Sequence, residues 1–161
     1  MCAKKTILII GAGQRGSEIA GKLLRANVNL LFCDKDHARA TALAQQAKNK
    51  ESRCEAEAMA CYFQSAWEAD IIILAMNFRS QKEVGAIIKE VVNQKILVSV
   101  MDAREQINAE SCPEARRDEL LKLFPNTNIL IMKPDDKLVS ANRIPVDPVC
   151  WLPGFEGNNS N

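Results

Sequence analysis

Three glycines at the spacing G-x-G-x-x-G constrain the fold of this chain more than any other feature. The stretch Gly11-Ala-Gly-Gln-Arg-Gly16 follows the apolar run Thr6–Ile10 and precedes an amphipathic run that begins at Ser17. Between a strand and a helix, this spacing has a physical purpose. Gly11 permits the tight turn, Gly13 lets a phosphate approach the backbone, and Gly16 lets the helix pack close to the strand. The N–H groups and the positive dipole end of that helix then favour a bound anion.

The rest of the chain continues the alternation of apolar runs and helical patterns. This order predicts an α/β fold: a three-layer Rossmann (doubly wound), mostly parallel sheet of about six strands. The predicted strands are residues 5–10, 29–33, a weak strand within 49–61, 70–76, 96–101 and 128–132. The predicted helices are residues 14–26, 37–48, 79–93 and 113–124, and residues 62–69 are predicted to form a short helix or a turn that ends at Glu68. The segment 49–61 also allows a helix, because it is rich in Ala and Glu.

Two patterns refine this assignment. In the predicted helix 79–93, Val84, Ile87, Ile88 and Val91 share one face, which is expected to be buried. From Lys133 onward the chain has four prolines and little periodicity, and no strand is predicted there. We therefore expect a dinucleotide-binding Rossmann domain over residues 1–134 and a Pro-containing tail over 135–161, partly docked or disordered.

Composition excludes several classes of protein. The 161 residues suit one domain, and 21 basic against 20 acidic residues give a net charge of +1. This balance does not indicate a nucleic-acid or anionic-membrane partner. No apolar run approaches the roughly 18 residues of a membrane helix, and the start of the chain lacks a secretory pattern. A cytoplasmic location is expected.

The cysteines do not suggest a metal site or a disulfide framework. None of the six forms a C-x-x-C pair, and the sole histidine is His37. Zinc sites need clustered ligands, and a cytosolic chain keeps its thiols reduced. We expect Cys33 to be a small core residue and Cys150, in the polar tail, to be a candidate reactive thiol.

The ends of the first two strands supply candidate ligand contacts. In a doubly wound sheet, ligands bind outside the carboxyl ends of the strands, where the strand order reverses. Asp34 lies 18 residues after Gly16, where a carboxylate can accept hydrogen bonds from both ribose hydroxyls of an adenosine. It would repel a 2′-phosphate and so favours NAD, but Lys35 and Arg39 could offset the repulsion and admit NADP. Arg15 could either reach a phosphate or be a solvated side chain.

The ends of the fourth and fifth strands supply further candidates. Ala75 and Met76 could border the middle of the cofactor, and Asn77 offers an amide. Phe78 either provides a surface for the nicotinamide or adenine ring or is an ordinary aromatic residue of the core. After the fifth strand, Asp102 is a substrate-facing candidate, although a turn or cap role is favoured for it. Ser99 is expected to lie within the strand.

Catalytic groups are scarce in this sequence. The one histidine lies early in the second helix, and neither a Ser-His-Asp set nor a Cys-His pair occurs at a plausible site. Hydride transfer between two bound cofactors needs no proton relay from the protein, because the cofactors carry the chemistry. No catalytic residue is assigned from the sequence.

These elements resemble the amino-terminal cofactor domain of the deazaflavin-dependent NADP reductases. The pattern is shared with pyrroline-5-carboxylate reductases and the 6-phosphogluconate dehydrogenase type. The resemblance covers roughly residues 5–132 and rests on the stretches Ile7–Arg39, Ala69–Met76, Lys95–Val100 and Leu121–Ile131. It implies that the glycine loop and the residues after strands two and four hold a nucleotide.

The strand-end argument and the resemblance together give one set of candidate cofactor-binding residues: Gly11, Gly13, Gln14, Arg15, Gly16, Asp34, Lys35, Ala75, Met76 and Asn77. The chain departs from the family's usual Val-Pro at Met76-Asn77 and from its Asn-Pro at Met101-Asp102-Ala103. Where NADP-using members tend toward Ser-Arg, it has Asp34-Lys35. The departures leave the second substrate and the choice between NAD and NADP open.

Three functions remain compatible with these residues. The first is an NAD(P)-dependent oxidoreductase that moves a hydride between a nicotinamide dinucleotide and a second small cofactor or substrate. The second is a non-catalytic nucleotide-sensing module, which the Asp34-Lys35-Asp36 sequence and the scarce catalytic groups also suit. The third is an ancillary subunit or degenerate paralogue. A homodimer through the apolar residues of the segment 144–155 is a further hypothesis.

Overall fold

The computed structural model describes residues 4–24, 26, 28–51, 53–102, 112–132 and 138–140. Within them, seven strands form one sheet: β1 (Thr6–Ile10), β2 (Asn29–Cys33), β3 (Glu55–Ala58), β4 (Ile71–Leu74), β5 (Ile96–Val100), β6 (Asn128–Met132) and β7 (Leu138–Ser140). The helices are α1 (Gln14–Leu23), α2 (His37–Lys50), α3 (Tyr62–Glu68), α4 (Phe78–Ile88) and α5 (Pro113–Leu123).

The strand order confirms the predicted doubly wound fold. The sheet runs β3-β2-β1-β4-β5-β6-β7, and the first six strands are parallel. The chain builds outward from β1 to β3 and then returns to the other side of β1 to start β4. The strand order therefore reverses between β1 and β4, which is where such folds open a crevice at the carboxyl ends of the strands.

Helices cover both faces of the sheet, so the central strands are apolar on both sides. On one face, Ile7, Ile9 and Ile73 pack with Ile19 and Leu23 of α1. On the other face, the alternate strand residues pack with α3, α4 and α5 through a second cluster, which contains Leu8, Ile10, Leu31, Ala66, Ile72, Leu74, Val84, Ile88, Leu120 and Phe124. The Ile-rich run 71–74 is buried at every position because it lies between both layers.

Most predicted elements are present with shorter ends. The weak third strand exists as β3, whose Leu30↔Ala56 and Phe32↔Ala58 pairs join it to β2. The α1 helix ends at Leu23 rather than at residue 26, and α4 ends at Ile88 rather than at 93. Helix ends are set by caps and tertiary contacts, which periodicity alone does not reveal.

Two expectations are wrong. The absence of a strand after residue 132 is contradicted by β7, in which Leu138–Ser140 pair antiparallel with β6, for example Ile131↔Val139. Three residues are too few to show a periodic pattern, and the pairing is supplied by the edge of β6. Ile87, expected on the buried face of its helix, is 51% exposed. Residues 141–161, with Cys150 and the segment 144–155, lie outside the described residues.

Candidate functional site

The glycine loop folds as its spacing predicts. Gly11 has φ +105°, a left-handed conformation, and a Cβ placed there would lie 2.6 Å from the carbonyl oxygen of Ala75. A Cβ on Gly16 would overlap the carbonyl oxygen of Gly11. Both positions therefore exclude a side chain, the first because the loop passes close to the end of β4 and the second because α1 packs onto the loop.

The start of α1 is open where an anion would bind. Gly13 is the N-cap of the helix and supplies no side-chain hydrogen bond to it. The nearest atom to a Cβ built on Gly13 would be Nη2 of Arg39, at 3.4 Å. The amino end of a helix carries partial positive charge, and a guanidinium beside it adds a full one. This corner suits a phosphate.

Asp34 is joined to the glycine loop by its own carboxylate. Its Oδ2 accepts a hydrogen bond from the backbone N–H of Ala12 at 2.7 Å, and its Oδ1 accepts one from the N–H of Asp36 at 2.8 Å. A carboxylate has about four lone-pair sites, so capacity for further hydroxyl donors is retained. Asp36 is the helix cap that the sequence predicts, because its side chain accepts from the N–H of Ala38.

A cleft of about 450 Å³ opens at the carboxyl ends of the strands, over the point where the strand order reverses. It brings together seven of the ten candidate cofactor-binding residues: Gly11, Gly13, Asp34, Lys35, Ala75, Met76 and Asn77. It does not include the other three. Gln14 and Arg15 instead face Glu18 along α1, with the guanidinium 3.3 Å from its carboxylate, and Gly16 is buried beneath the loop.

Seven further residues line the cleft in addition to those seven candidates. One of them is Ile10, at the end of β1. The other six are Arg39, Tyr62, Ser80, Glu83, Val84 and Ile87. Ser80, Val84 and Ile87 recur at the helical spacing of three and four along α4, which turns this stripe toward the cleft. The same spacing explains why Ile87 is exposed although it is apolar. The sequence predicts both Val84 and Ile87 on a buried face; Val84 is buried, whereas Ile87 is exposed at the cleft.

The end of β4 continues into the first turn of α4. Asn77 caps that helix, since its Oδ1 accepts from the N–H of Ser80 at 2.9 Å. The Phe78 ring lies 4.4 Å from the guanidinium carbon of Arg116 and 5.0 Å from Nζ of Lys82. Of the two roles left open for Phe78, the structure favours packing with these cations over a free surface for a ligand ring.

A buried polar cluster that no sequence pattern predicts lies behind this wall of the cleft. Gln81, Ser99 and Arg116 are 0%, 0% and 1% exposed, and they hydrogen-bond to one another and to nearby carbonyls. Each residue type is common on surfaces, so no local signal marks them as a group. Asp102 is exposed at the end of β5, and Ala103 lies outside the described residues.

Two neutral side chains lie beside Asp34. Burial raises the pKa of the Cys33 thiol, which is 1% exposed as the sequence predicts for a core residue. Burial is also the main cause that raises the pKa of the Tyr62 phenol. Both groups are therefore protonated at neutral pH, and the Tyr62 hydroxyl is a hydrogen-bond donor at the edge of the cleft.

A wider depression of about 810 Å³ lies elsewhere, beside the amino ends of β1 and β2 and along β3. Its lining includes Thr6, Asn29, Glu55 and Glu68. Its larger volume does not make it the better candidate, because doubly wound sheets bind ligands at the opposite, carboxyl ends of their strands.

The described part of the chain gives no sign of a metal centre or a membrane span. No group of three or more His, Cys, Asp or Glu side chains lies close enough to hold a metal ion. Within the same residues, no helix combines the length and the apolar character needed to cross a membrane.

Comparison with solved structures confirms the fold. An imine reductase from Aspergillus terreus superposes with a TM-score of 0.71 at 12% identity, over 96% of this chain and 54% of that one. An imine reductase from Pseudomonas sp. gives 0.64 at 16%, over 95% and 54%. A lactate dehydrogenase from Eimeria maxima gives 0.60 at 13%, over 82% and 44%. This chain therefore spans about half the length of these enzymes.

The sequence comparisons are more specific. No curated protein matches the chain significantly. The model of the family described as NADP oxidoreductase, coenzyme F420-dependent, matches residues 6–103, which hold the glycine loop, Asp34 and the β4–α4 wall of the cleft. None of these matches supports the nucleotide-sensing alternative. The match spans more than half of the chain and agrees with the resemblance noted from the sequence, so this chain belongs to the coenzyme F420-dependent NADP oxidoreductase family.

Proposed function

We propose that this chain is the dinucleotide-binding part of an oxidoreductase that uses NAD or NADP. The observation that carries the proposal is the meeting of the glycine loop, the open start of α1 and the Asp34 carboxylate at one cleft. The pyrophosphate would lie over Gly13 and the start of α1, and the adenosine ribose would lie at Asp34. All ten candidate residues stay predictions until a ligand is bound, and Gln14, Arg15 and Gly16 would act through their backbone.

The proposed reaction is hydride transfer with a second small cofactor or substrate. A bound nicotinamide supplies or accepts the hydride, two electrons with one proton, and the second substrate provides the other half of the reaction. The Aspergillus imine reductase was solved with NADPH4 and the Eimeria lactate dehydrogenase with NADH. Those ligands support a nicotinamide cofactor here, while the second substrate is left unassigned.

Both NAD and NADP fit the charges around Asp34. The carboxylate favours the free hydroxyls of NAD, but Lys35 and Arg39 line the same cleft and can offset a 2′-phosphate. Arg39 also lies near Gly13, where the pyrophosphate that both cofactors share would bind. We therefore propose that both cofactors bind and that Arg39 sets how far NADP is accepted.

A thermal-shift panel with NAD, NADH, NADP, NADPH, ADP-ribose and a flavin tests the proposal. A ligand at about a hundredfold over its Kd stabilises the fold by roughly 2.7 kcal/mol, which is a clear shift in Tm. We expect nicotinamide dinucleotides and ADP-ribose to shift the Tm. A panel in which no nucleotide shifts the Tm contradicts the proposal. Binding without turnover over many acceptors favours a sensor instead.

We also propose that the protein forms a homodimer and that it is located in the cytoplasm. Sedimentation velocity of the full chain tests the first, and fractionation of cells that make the protein tests the second. A monomer at micromolar concentration would contradict the dimer.

A further inference from the structure

We propose that Gln81 is a positioning residue for the half of the cleft opposite Asp34, and that Ser99 and Arg116 act through it. The inference rests on the proposed function, because the half in question is the one that would hold a nicotinamide. Gln81 is fully buried on α4, one turn after the Asn77 cap, and the binding role of the glycine loop does not use it.

The hydrogen bonds of this cluster are donated in one direction, from Arg116 to Ser99 and from Ser99 to Gln81. A guanidinium carries donors and no acceptor, so the Arg116 Nη1 donates to Ser99 Oγ at 3.2 Å and to the carbonyl of Val100 at 3.1 Å. The Ser99 hydroxyl, having accepted from Arg116, has its own proton to donate. It donates to the Oε1 of Gln81 at 2.5 Å.

This relay fixes which way the Gln81 amide points. With Oε1 held by Ser99, the amide nitrogen faces three backbone carbonyls, at 2.8 Å from Met76, 3.0 Å from Val100 and 3.3 Å from Leu74. The reversed amide would place its oxygen against the three carbonyl oxygens and its NH2 group against the Ser99 hydroxyl, which would lose the acceptor of its proton. Ser99 and Arg116 thereby reinforce, from outside the cleft, the orientation of the Gln81 amide that the three carbonyls also favour.

Two of the three carbonyls that Gln81 contacts, those of Met76 and Val100, lie beyond the last pair that joins β4 to β5. The last register pair of β4 and β5 is Leu74↔Ser99, and both segments of the chain continue past it toward the cleft. Gln81 bonds to Met76 on one side and to Val100 on the other, so it joins the exits of both strands. Met76 is a lining residue, and its backbone position therefore depends on the Gln81 amide.

The two halves of the cleft should depend on this amide to different degrees. In doubly wound folds each half of the sheet binds one mononucleotide, and Asp34 assigns the adenosine to the β1–β3 half. The β4–β5 half is left for the nicotinamide, and Gln81 contacts only that half. Loss of the amide should weaken ligands that carry a nicotinamide and leave ADP-ribose, which has none, unaffected.

The test compares the affinities of NADH, NADPH and ADP-ribose in the full chain and its Gln81→Leu and Ser99→Ala variants. Gln81→Leu keeps most of the volume and removes the amide, and we expect about tenfold weaker binding of the nicotinamide dinucleotides. Ser99→Ala keeps Gln81 but removes the hydrogen bond to its Oε1, so a smaller loss of the same kind is expected. The fluorescence of bound NADH should change in both variants, because its ring environment changes.

Thr127→Val is the matched control. Thr127 is also buried, and its Oγ1 donates to the carbonyl of Val92 at 3.1 Å, but it lies just before the amino end of β6. It should lower the Tm without changing the affinity ratio between dinucleotide and ADP-ribose. A ratio unchanged in Ser99→Ala and Gln81→Leu, or changed equally by Thr127→Val, overturns the inference.

The outcomes for the two proposals can be told apart. A wild-type chain that binds none of the three ligands contradicts the proposed function itself. A wild-type chain that binds them with a ratio insensitive to the variants contradicts only the role of Gln81. If Gln81→Leu does not fold, Ser99→Ala decides alone, since alanine fits any site that serine occupies in a strand.

Discussion

The two ends of the candidate cleft are built in different ways. The end near β1 and β2 is made from a short stretch of chain: a turn that excludes side chains, a helix start, and the Asp34 carboxylate bonded to the N–H of Ala12. The end near β4 and β5 is made from side chains of three elements, α4, β5 and α5, that meet only in the folded protein. The first is specified by backbone geometry and the second by a buried hydrogen-bond network.

This difference has a functional meaning. A phosphate and a ribose are common to every dinucleotide, and a backbone cradle binds them whatever the rest of the ligand is. The other end faces the reacting ring and its partner, which differ from enzyme to enzyme. We therefore expect changes at the first end to affect all nucleotides and changes at the second to affect only some of them.

The largest effect should come from Gly16→Ala. Its Cβ would overlap the carbonyl oxygen of Gly11, so the loop and α1 must move apart, at a cost of about 2–4 kcal/mol. Binding of every nucleotide should be lost, as measured by calorimetric titration, and the Tm should fall.

Gly21→Ala is the matched control for that change. Gly21 lies in the same helix, and a Cβ there meets nothing within 4 Å. It should raise the free energy of unfolding by about 0.5–1 kcal/mol and leave binding unchanged. Equal losses in the two variants would show that α1 tolerates no added methyl and that the loop contact is not the cause.

Asp34→Ala should cause the second-largest loss of nucleotide affinity. It removes the acceptor of the Ala12 N–H and the proposed ribose partner, and charge-assisted hydrogen bonds contribute about 1.5–3 kcal/mol, so NADH should bind roughly ten- to a hundredfold more weakly. NADPH should lose less, because a repulsive charge is also removed. Asp36→Ala should lower only stability, by about 1 kcal/mol, since that side chain caps α2. Unchanged NADH affinity in Asp34→Ala contradicts the ribose assignment.

Arg39→Ala is the exception at the first end, because it should affect NADPH and NADH to different degrees. Arg39 lines the cleft together with Asp34 and Lys35, where it would offset a 2′-phosphate, so its removal should weaken NADPH by about tenfold and NADH much less, as measured by fluorescence titration. Arg53→Ala removes an exposed arginine that does not line the cleft and should change neither affinity. An equal loss for both cofactors would place Arg39 on the shared pyrophosphate and not on the 2′-phosphate.

The smallest effect concerns stability at alkaline pH. Burial raises the pKa of Cys33 above its usual 9.0, so the unfolded chain loses this proton first and stability falls as pH rises above 9 toward the folded pKa. The slope from one such group is at most about 1.4 kcal/mol per pH unit. Urea melts from pH 8 to 10.5 should show a shallower decline for Cys33→Ala than for the wild type or for Cys112→Ala, which removes an exposed thiol. Parallel declines would contradict this account.

The same contrast explains what the sequence could predict. The glycine spacing, the Asp34 position and the six parallel strands all produce local patterns, either a fixed offset or an apolar run, and each is present in the structure. Gln81, Ser99 and Arg116 are separated by 18 and 17 residues, and their roles depend on the register of β4 with β5 and on the packing of α5. A glutamine within a helix or an arginine next to another arginine gives no sign of burial until the helix is docked.

Two smaller discrepancies have the same origin. The apolar spacing of α4 predicts a buried Ile87, but this side chain lines the cleft and is half exposed. The strand β7 was not predicted because its three residues acquire their conformation from the edge of β6. In both cases a neighbouring element decides the outcome, and the local sequence is compatible with either.

The most direct test of the central claim is a calorimetric titration of the wild-type chain with NADH, NADPH and ADP-ribose. The account predicts that all three bind at one site per chain, and that Gly16→Ala abolishes every one of these titrations while Gly21→Ala preserves them. The absence of heat from all three ligands at millimolar concentration, or binding that survives Gly16→Ala, would contradict the claim that this cleft is a dinucleotide site.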